Sequence, residues 1–506
     1  MSLKRQASRV YPTSDMNILI DTNILIPLED TGRVLDARFA ELRRHVDELG
    51  FRLYIHPAQF DDLNRDRDEG RRMIVMSRVQ QYAKIPDPPT LTQNERLQNG
   101  WSQSKDNDRV DNLLLHAVHR GAAHILISND DGIRSKAARV SIQERIYRLD
   151  QALEFLSRQR TPQKFIAPFG IRERYLHEFD VKTPFFDSLR QGYTGFDEWY
   201  LKGAQSRRRC WSIANDECTE LFALCIFKPE NSPVVTDDGK SLPGQTLKLC
   251  TVKVGSLLQG RKVGERLLHT AFKYAIEHNL DWVYVHSNFN RHGHLLSLCA
   301  DYGFIKIGLY GGDEVYAKPM RPGLVEDPEC SLEYAIRYHP HYRNDSRNDR
   351  YIIPIQPKYH EDLFPDISDW SQGLFSKDNT PLNPQSNTIK KAYICHAQIS
   401  KMKPGDLVMF YRSEDRKSIE VLGVVETAVQ TDDVATAVSL VSKRTVYDQK
   451  QLSDMVAKRA LVILFRLVRY LNAVTSKEME TAGIKGPIQS IRSISADTFT
   501  TLFSKK

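Results

Sequence analysis

The chain is 506 residues long, enough for about three domains that each bury a core. A net charge of +7 with a pI near 8.8 is a mild basic surplus, compatible with nucleic acid and too diffuse to single it out. Seven scattered cysteines with no C-x-x-C pair argue against a disulfide scaffold and structural zinc; with no plain apolar run longer than Ala460 to Phe465, the expectation is a cytoplasmic protein with no membrane partner.

The first predicted element is the apolar run Asn17-Ile18-Leu19-Ile20, a buried strand of a parallel sheet, ended by Asp21. A charged helix is predicted from Asp61 to Lys84, stopped by Pro86-Asp87-Pro88-Pro89, with a loop on to Asn107. A second helix runs through Asp108 to Val118, where Asp111 lies in line with Leu114, Leu115 and Val118. Asp108, one turn earlier, reads as a helix cap or as a further ligand. A second strand, Ile125-Leu126-Ile127, leads to Ser128 and Asp130. Ligands gather beyond the carboxyl ends of parallel strands, so acids placed there converge on one crevice. Such carboxylates repel each other unless a cation sits among them.

The segments ILIDTNILIPLED, HPAQFDDLNRD, NDRVDNLLLHA and HILISNDDGI resemble a PIN domain over residues 1 to 158. The resemblance implies an α/β/α fold and an RNA-cleaving enzyme dependent on Mg2+ or Mn2+, a type common as the toxin partnered by an antitoxin protein. It puts Asp21, Asp62, Asp111 and Asp130 in the roles of catalytic residues and metal ligands, with Asn23 and Ser128 as polar supports. Of the adjacent Asp61 and Asp62 only one can face the metal; Asp62 is preferred because the family's acid is followed by leucine.

After a break near Arg158 to Phe169, the next informative stretch is a strand at Thr251 to Val254, a glycine-bearing turn, and a helix from Glu265 onward. A turn that opens a helix offers unpaired amides and the helix dipole to an anion. Residues 165 to 320 are similar to the GNAT acyltransferases, an α+β fold. The resemblance implies acetyl-CoA as cofactor, with its pyrophosphate on Gln259, Gly260, Arg261, Lys262, Val263 and Gly264, its pantetheine arm along Val252 and Val254, and Asn290 completing the binding set. Lys262 stands where the family's middle glycine is usual, adding charge or crowding the approach. Cys299 stands where a proton-donating tyrosine often precedes the Gly303-Phe304 pair; it reads either as that acid or as a small buried residue. Glu217, Glu220 and His286 are unranked candidates for the acceptor-side base, and His292 and His294 lack a third ligand for a metal.

Residues 321 to 349, ending in a polar run from Arg343 to Arg350, read as a flexible linker. From Tyr351 strands dominate, and KPGDLVMFYRS followed by VLGVVE resembles the PUA superfamily in its EVE or ASCH-like branch, a small β-barrel that binds RNA. The resemblance makes Lys390, Lys391, Tyr411 and Arg412, with Gln489, the nucleic-acid contacts, while Tyr411 as a core residue stays open. The whole is expected to be an α/β chain of three domains, at 1–158, 165–320 and 350–506, acting as a metal-dependent ribonuclease of toxin or defence type with an acetyltransferase module and an RNA-binding module. The alternatives are an acyltransferase with a docking PIN fold, and an RNA-bound acetyl-CoA sensor without turnover.

Overall fold

The computed structural model describes residues 16–30, 36–49, 51–160, 170–215, 217–255, 258, 262–287, 289–364, 367, 389–441, 444 and 449–503. The chain is a mixed α/β protein with three sheets of five, seven and six strands. Among the described residues no helix is long and apolar enough to cross a membrane.

The first sheet is parallel, with strands β1 (Asn17–Ile20), β2 (Arg52–Ile55), β3 (Ala83–Lys84), β4 (Ile125–Ile127) and β5 (Ile146–Tyr147) in the order β3-β2-β1-β4-β5. Its two central strands are continuous apolar runs because both of their faces are covered; Ile18 to Ile20 and Ile125 to Ile127 are fully buried. The chain passes from β1 to β2 and β3 on one side and returns to β4 and β5 on the other, so the order reverses between β1 and β4, the place beyond the strand ends where sheets of this kind take ligands. The helix Asp106–His119 packs Val110, Leu114, Leu115 and Val118 into the core with Leu126 and Ile133. The single helix expected from Asp61 to Lys84 is instead two, Gln59–Asn64 and Glu69–Val79, followed by β3. Asp68 starts the second by accepting from the Arg71 amide at 3.0 Å, and Asp66 binds the Arg71 guanidinium with both oxygens at 2.6 Å. The loop expected before Asn107 also contains a helix, Gln93–Gln98, started by a reciprocal Thr92 and Glu95 cap.

The second sheet has β6 (Arg172–Tyr175), β7 (Arg209–Ala214), β8 (Leu221–Asn231), β9 (Gln245–Val254), β10 (Trp282–Ser287), β11 (Ile305–Tyr310) and β12 (Asp313–Pro319), in the order β11-β12-β10-β9-β8-β7-β6. Its pairs are antiparallel except β9 with β10. The helix Val263–Glu277 covers one face through Leu267, Leu268, Ala271, Phe272 and Ala275.

The third sheet comprises β13 (Arg350–Ile355), β14 (Lys390–Cys395), β15 (Leu407–Arg412), β16 (Ser418–Thr431), β17 (Ala460–Thr475) and β18 (Arg492–Ser493), in the order β14-β17-β16-β15-β13-β18. Alternating residues of β15 enter two separate cores, Leu407, Met409 and Tyr411 on one side and Val408 and Phe410 on the other. Gly423 lets β16 and β17 approach closely; a Cβ there would meet the Phe465 ring at 2.7 Å and the Arg466 carbonyl at 2.9 Å. The polar stretch read as a flexible linker carries the helix Ser331–Arg337, and its asparagines serve structure. Arg350, buried, donates to Asn344 Oδ1 at 2.6 Å and to the Asn348 and Asp345 carbonyls.

The chain groups into two compact units, one of residues 1–163, 431–443 and 447–460 and the other of 164–430, 444–446 and 461–506. The first unit thus includes the helices Val434–Val441 and Gln449–Val456, which the chain forms between β16 and β17. Within it the Tyr147 hydroxyl reaches the Ser439 carbonyl at 3.5 Å and His124 lies 3.6 Å from the Asp433 carboxylate.

Candidate functional site

In the second unit, β9 and β10 pair in parallel only from Thr246 and Trp282 to Leu249 and Val285; β9 then runs on to Val254, paired on its other side with β8. A cavity of about 460 Å³ opens at this divergence, with Lys248 to Val252 of β9 and Val285 to Ser287 of β10 in its wall and Phe196 and Trp199 among its aromatic lining. Glu230, also in the wall, is already committed: Lys228 Nζ donates to it at 2.6 Å and the Tyr284 hydroxyl donates to its other oxygen. Burial pushes the Glu230 pKa up, but these two hydrogen bonds and the nearby lysine charges outweigh it and hold the group below its usual value. His286 is different. Burial, then the charge of Lys248, pushes it down to about 4, so the ring is neutral at pH 7. Its Nε2 is buried and has no hydrogen-bond partner among the described residues. Of the three acceptor-side bases left unranked from sequence, His286 lines the cavity, whereas Glu217 and Glu220 are exposed and lie outside its lining.

The expected cofactor residues fall as follows. Val252 and Val254 lie on β9 beyond its last pair with β10 and pack partly against the core. Lys262 precedes the helix Val263–Glu277 with a left-handed backbone, φ 57°, and its mostly buried ammonium stands 4.0 Å from Glu265. Val263 is buried in the core, and a Cβ on Gly264 would stand 3.2 Å from Leu298, so this glycine lets the helix pack closely. Gln259, Gly260 and Arg261 lie outside the described residues, as does the side chain of Asn290.

Of the two readings of Cys299, its placement fits the small buried residue and not an acid facing a substrate. It is fully buried in the core beneath the Val263–Glu277 helix, and desolvation drives its thiol far above the ordinary range. Tyr302, also buried, donates its hydroxyl to Glu265 at 2.8 Å.

In the first unit the four expected aspartates lie near enough for Asp111 to feel the charges of Asp21, Asp130 and Asp62. Asp21 follows β1 and caps the helix Thr22–Glu29; it accepts from the Thr22 amide, from Asn23 Nδ2 and from Ser128 Oγ, each at 2.6 Å. Asp130 caps the helix Asp131–Ala138, and its own amide donates to Ser128 Oγ at 3.0 Å. Asp62 accepts from Thr22 Oγ1 at 3.4 Å and pairs with Arg65, while Asp61 turns outward to Arg109. Burial raises Asp21 to about 6, with Asp130 and Asp62 adding repulsion against the hydrogen bonds from Ser128 and Thr22. Burial, then Asp21 and Asp130, raises Asp111 to about 7.

A feature that sequence reasoning missed is Lys136, buried, which donates to Asp108 at 2.9 Å and lies 4.0 Å from Asp111. Asp108 also accepts from the amides of Ser104 and Lys105, so it is a cap and lysine partner. Among the described residues no three acidic, histidine or cysteine side chains stand close enough to hold a metal ion. The donor chemistry suits Mg2+ or Mn2+, but the carboxylates as placed do not form a cage for it, and Lys136 supplies part of the positive charge an ion would bring.

Of the expected nucleic-acid contacts of the third sheet, Gln489 is exposed, whereas the other four are buried and engaged within the fold. Lys390 is buried with its ammonium 3.4 Å from Asp301, and Lys391 is buried and donates to the Leu363 carbonyl at 2.7 Å. Tyr411 belongs to a core cluster, and Arg412 is held by Asp415 and by Glu361 at 2.7 Å. Side chains so engaged do not reach a phosphate or a base.

No family model matches the sequence, and no curated protein matches it. Among solved structures, the chain is similar to the ASCH protein of Zymomonas mobilis, at 15% identity over 30% of this chain and 92% of that one, with a TM-score of 0.23. An acetyltransferase of the GNAT family from Staphylococcus aureus is 13% identical over 30% of this chain and all 100% of its own, also at 0.23. Tetrahymena GCN5 is 14% identical over 30% and 98%, again at 0.23.

Proposed function

We propose that the second unit is an acyl-CoA-dependent N-acyltransferase working in the cavity where β9 and β10 part. The observation that carries this reading is the divergence itself: a strand edge from Cys250 to Val254 no longer paired with β10, beside a cavity lined by a neutral histidine whose Nε2 has no hydrogen-bond partner among the described residues. Val252 and Val254 would hold acetyl-CoA by their backbone, with the turn from Gln259 to Gly264 at its phosphates; the bound molecule supplies an activated acyl thioester. His286 accepts the proton of the acceptor amine as nitrogen attacks the acyl carbon; the carbon–nitrogen bond forms and the carbon–sulfur bond breaks. The thiol that leaves has a pKa near that of a free cysteine, so it can depart as the thiolate and take its proton from water. No buried acid is then required, consistent with the engagement of Cys299 and Tyr302 in the core.

The test is transfer of labelled acetyl from acetyl-CoA to amines by the full chain, alongside calorimetry of acetyl-CoA binding. His286→Gln is expected to lower kcat by about 100-fold or more while the Kd for acetyl-CoA stays put. Failure of the wild type to bind acetyl-CoA sinks the reading.

A second reading, cation-assisted RNA hydrolysis at the aspartate crevice of the first unit, is favoured by the mutual repulsion of Asp21, Asp62, Asp111 and Asp130. It requires that an ion draw these carboxylates closer than they stand. Calorimetric titration with Mn2+ tests that directly: binding by the wild type that is lost in Asp21→Asn supports it, and no binding removes it.

A further inference from the structure

The cavity wall carries more cations than it forms ion pairs, although the charge of Lys248 also acts on Glu230 across the wall. Lys228 is committed to Glu230 at 2.6 Å. Arg208 and Lys248 also line the cavity, half-buried, and among the described residues neither makes an ion pair. Both are held instead by aromatic faces: the Arg208 guanidinium lies 5.7 Å from the Trp199 ring centre, and the Lys248 ammonium 5.6 Å from that of Tyr284. A ring face fixes the position of a cation without cancelling its charge. Two cations so fixed in a partly apolar cavity are poised for an anion, which would recover the water each has given up.

Their placement relative to the divergence says which molecule brings the anion. Lys248 is paired in register with Tyr284, one step before the parallel ladder ends at Leu249 and Val285, and two residues from His286 on the neighbouring strand. This is the reacting end of the cavity in the acyltransferase reading, beside His286. Asp313, at the start of β12, is in the same lining and makes no ion pair among the described residues; it suits the ammonium of an incoming amine.

We propose that the acceptor is a small amine that also carries an anionic group, phosphate or carboxylate, with that anion on Arg208 and Lys248. The inference rests on the acyltransferase reading and names its substrate class. Transfer turns the amine into a neutral amide and sends its protons to His286 and solvent, so the product keeps the anion and loses its attraction to Asp313. That loss weakens product against substrate.

The experiment uses the full chain with acetyl-CoA and three probes that share an ethylamine arm: ethanolamine, phosphoethanolamine and β-alanine. The expected result is a kcat/KM for phosphoethanolamine or β-alanine at least about tenfold above that for ethanolamine, the better of the two identifying the anion. Arg208→Gln and Lys248→Gln, made separately, should each shrink that ratio severalfold through KM for the anionic probe, with the Kd of acetyl-CoA unchanged. Equal use of ethanolamine, or no use of any probe by protein that binds acetyl-CoA, overturns the inference and leaves the acyltransferase reading standing. So does a variant that weakens acetyl-CoA and leaves the ratio intact, since the cations would then serve the CoA phosphates. Absence of acetyl-CoA binding removes both.

Discussion

Lys136 and Asp111 govern how the aspartate crevice responds to pH. A carboxyl whose folded pKa is raised binds its proton more tightly in the folded state, so it takes stability away as pH climbs from the ordinary carboxylate value, about 4, through the folded value. For Asp21 and Asp111 that window ends at about 6 and about 7. Asp111→Asn should therefore flatten the decline between pH 4 and 7 and stabilise the first unit at pH 8 by about 1–3 kcal/mol, read from urea unfolding at several pH values. Lys136→Met is expected to do the opposite, since it strands Asp108 and removes the cation nearest Asp111; a loss of about 2–4 kcal/mol at pH 7 should appear in the same assay. An unchanged midpoint would mean that solvent already screens the pair. At this scale the sequence was informative about the acids, because each sits where a strand or helix pattern breaks. It was silent about Lys136, whose partner is 28 positions away on another helix. Lys390, Lys391 and Arg412 mislead for the same reason: a basic residue in a strand looks exposed until its carboxylate or carbonyl partner is placed beside it by the fold.

At the scale of elements, strands with continuous apolar runs were legible, because burial on both faces leaves no polar alternation to confuse. The charged stretch after Asp61 was not, since Asp66 and Asp68 break it by side-chain bonds to Arg71 that no periodicity announces. The divergence of β9 and β10 was invisible for a related reason: where a pairing stops depends on the partner strand. Gly423 shows how tightly the third sheet depends on such approach. Gly423→Ala would put a methyl against the Phe465 ring and the Arg466 carbonyl, and backbone cannot yield as a side chain tip does. A destabilisation of roughly 2 kcal/mol or more is expected, measured as a lower Tm of the full chain. Lys262 offers the reverse case. Lys262→Gly removes a left-handed backbone penalty of about 1 kcal/mol, partly offset by loss of the contact with Glu265, so the Tm should hold or rise slightly.

At the scale of the molecule, the first unit draws on two stretches of chain far apart in sequence, and no local pattern marked the helices Val434–Val441 and Gln449–Val456 as belonging with the first sheet. The fragment 1–163 lacks them and should be less stable, or less soluble, than the same unit in the whole protein. Limited proteolysis and thermal melts of fragment and full chain would show it; equal melting of the two would mean the helices add nothing to that unit.

The discontinuity also sets a clock. A ribosome that has finished Gln163 must still add every residue up to Ala460 before the first unit has all of its parts, on the order of tens of seconds at about 5–20 residues per second. During that interval the aspartate crevice is on a nascent body that lacks part of its own covering, while the second unit is being made. A message cut short anywhere before Thr431 yields a chain in which that unit never closes. Completion of the unit's first stretch is thereby tied to delivery of its last, and an incomplete product is marked by exposed apolar surface that chaperones and proteases recognise.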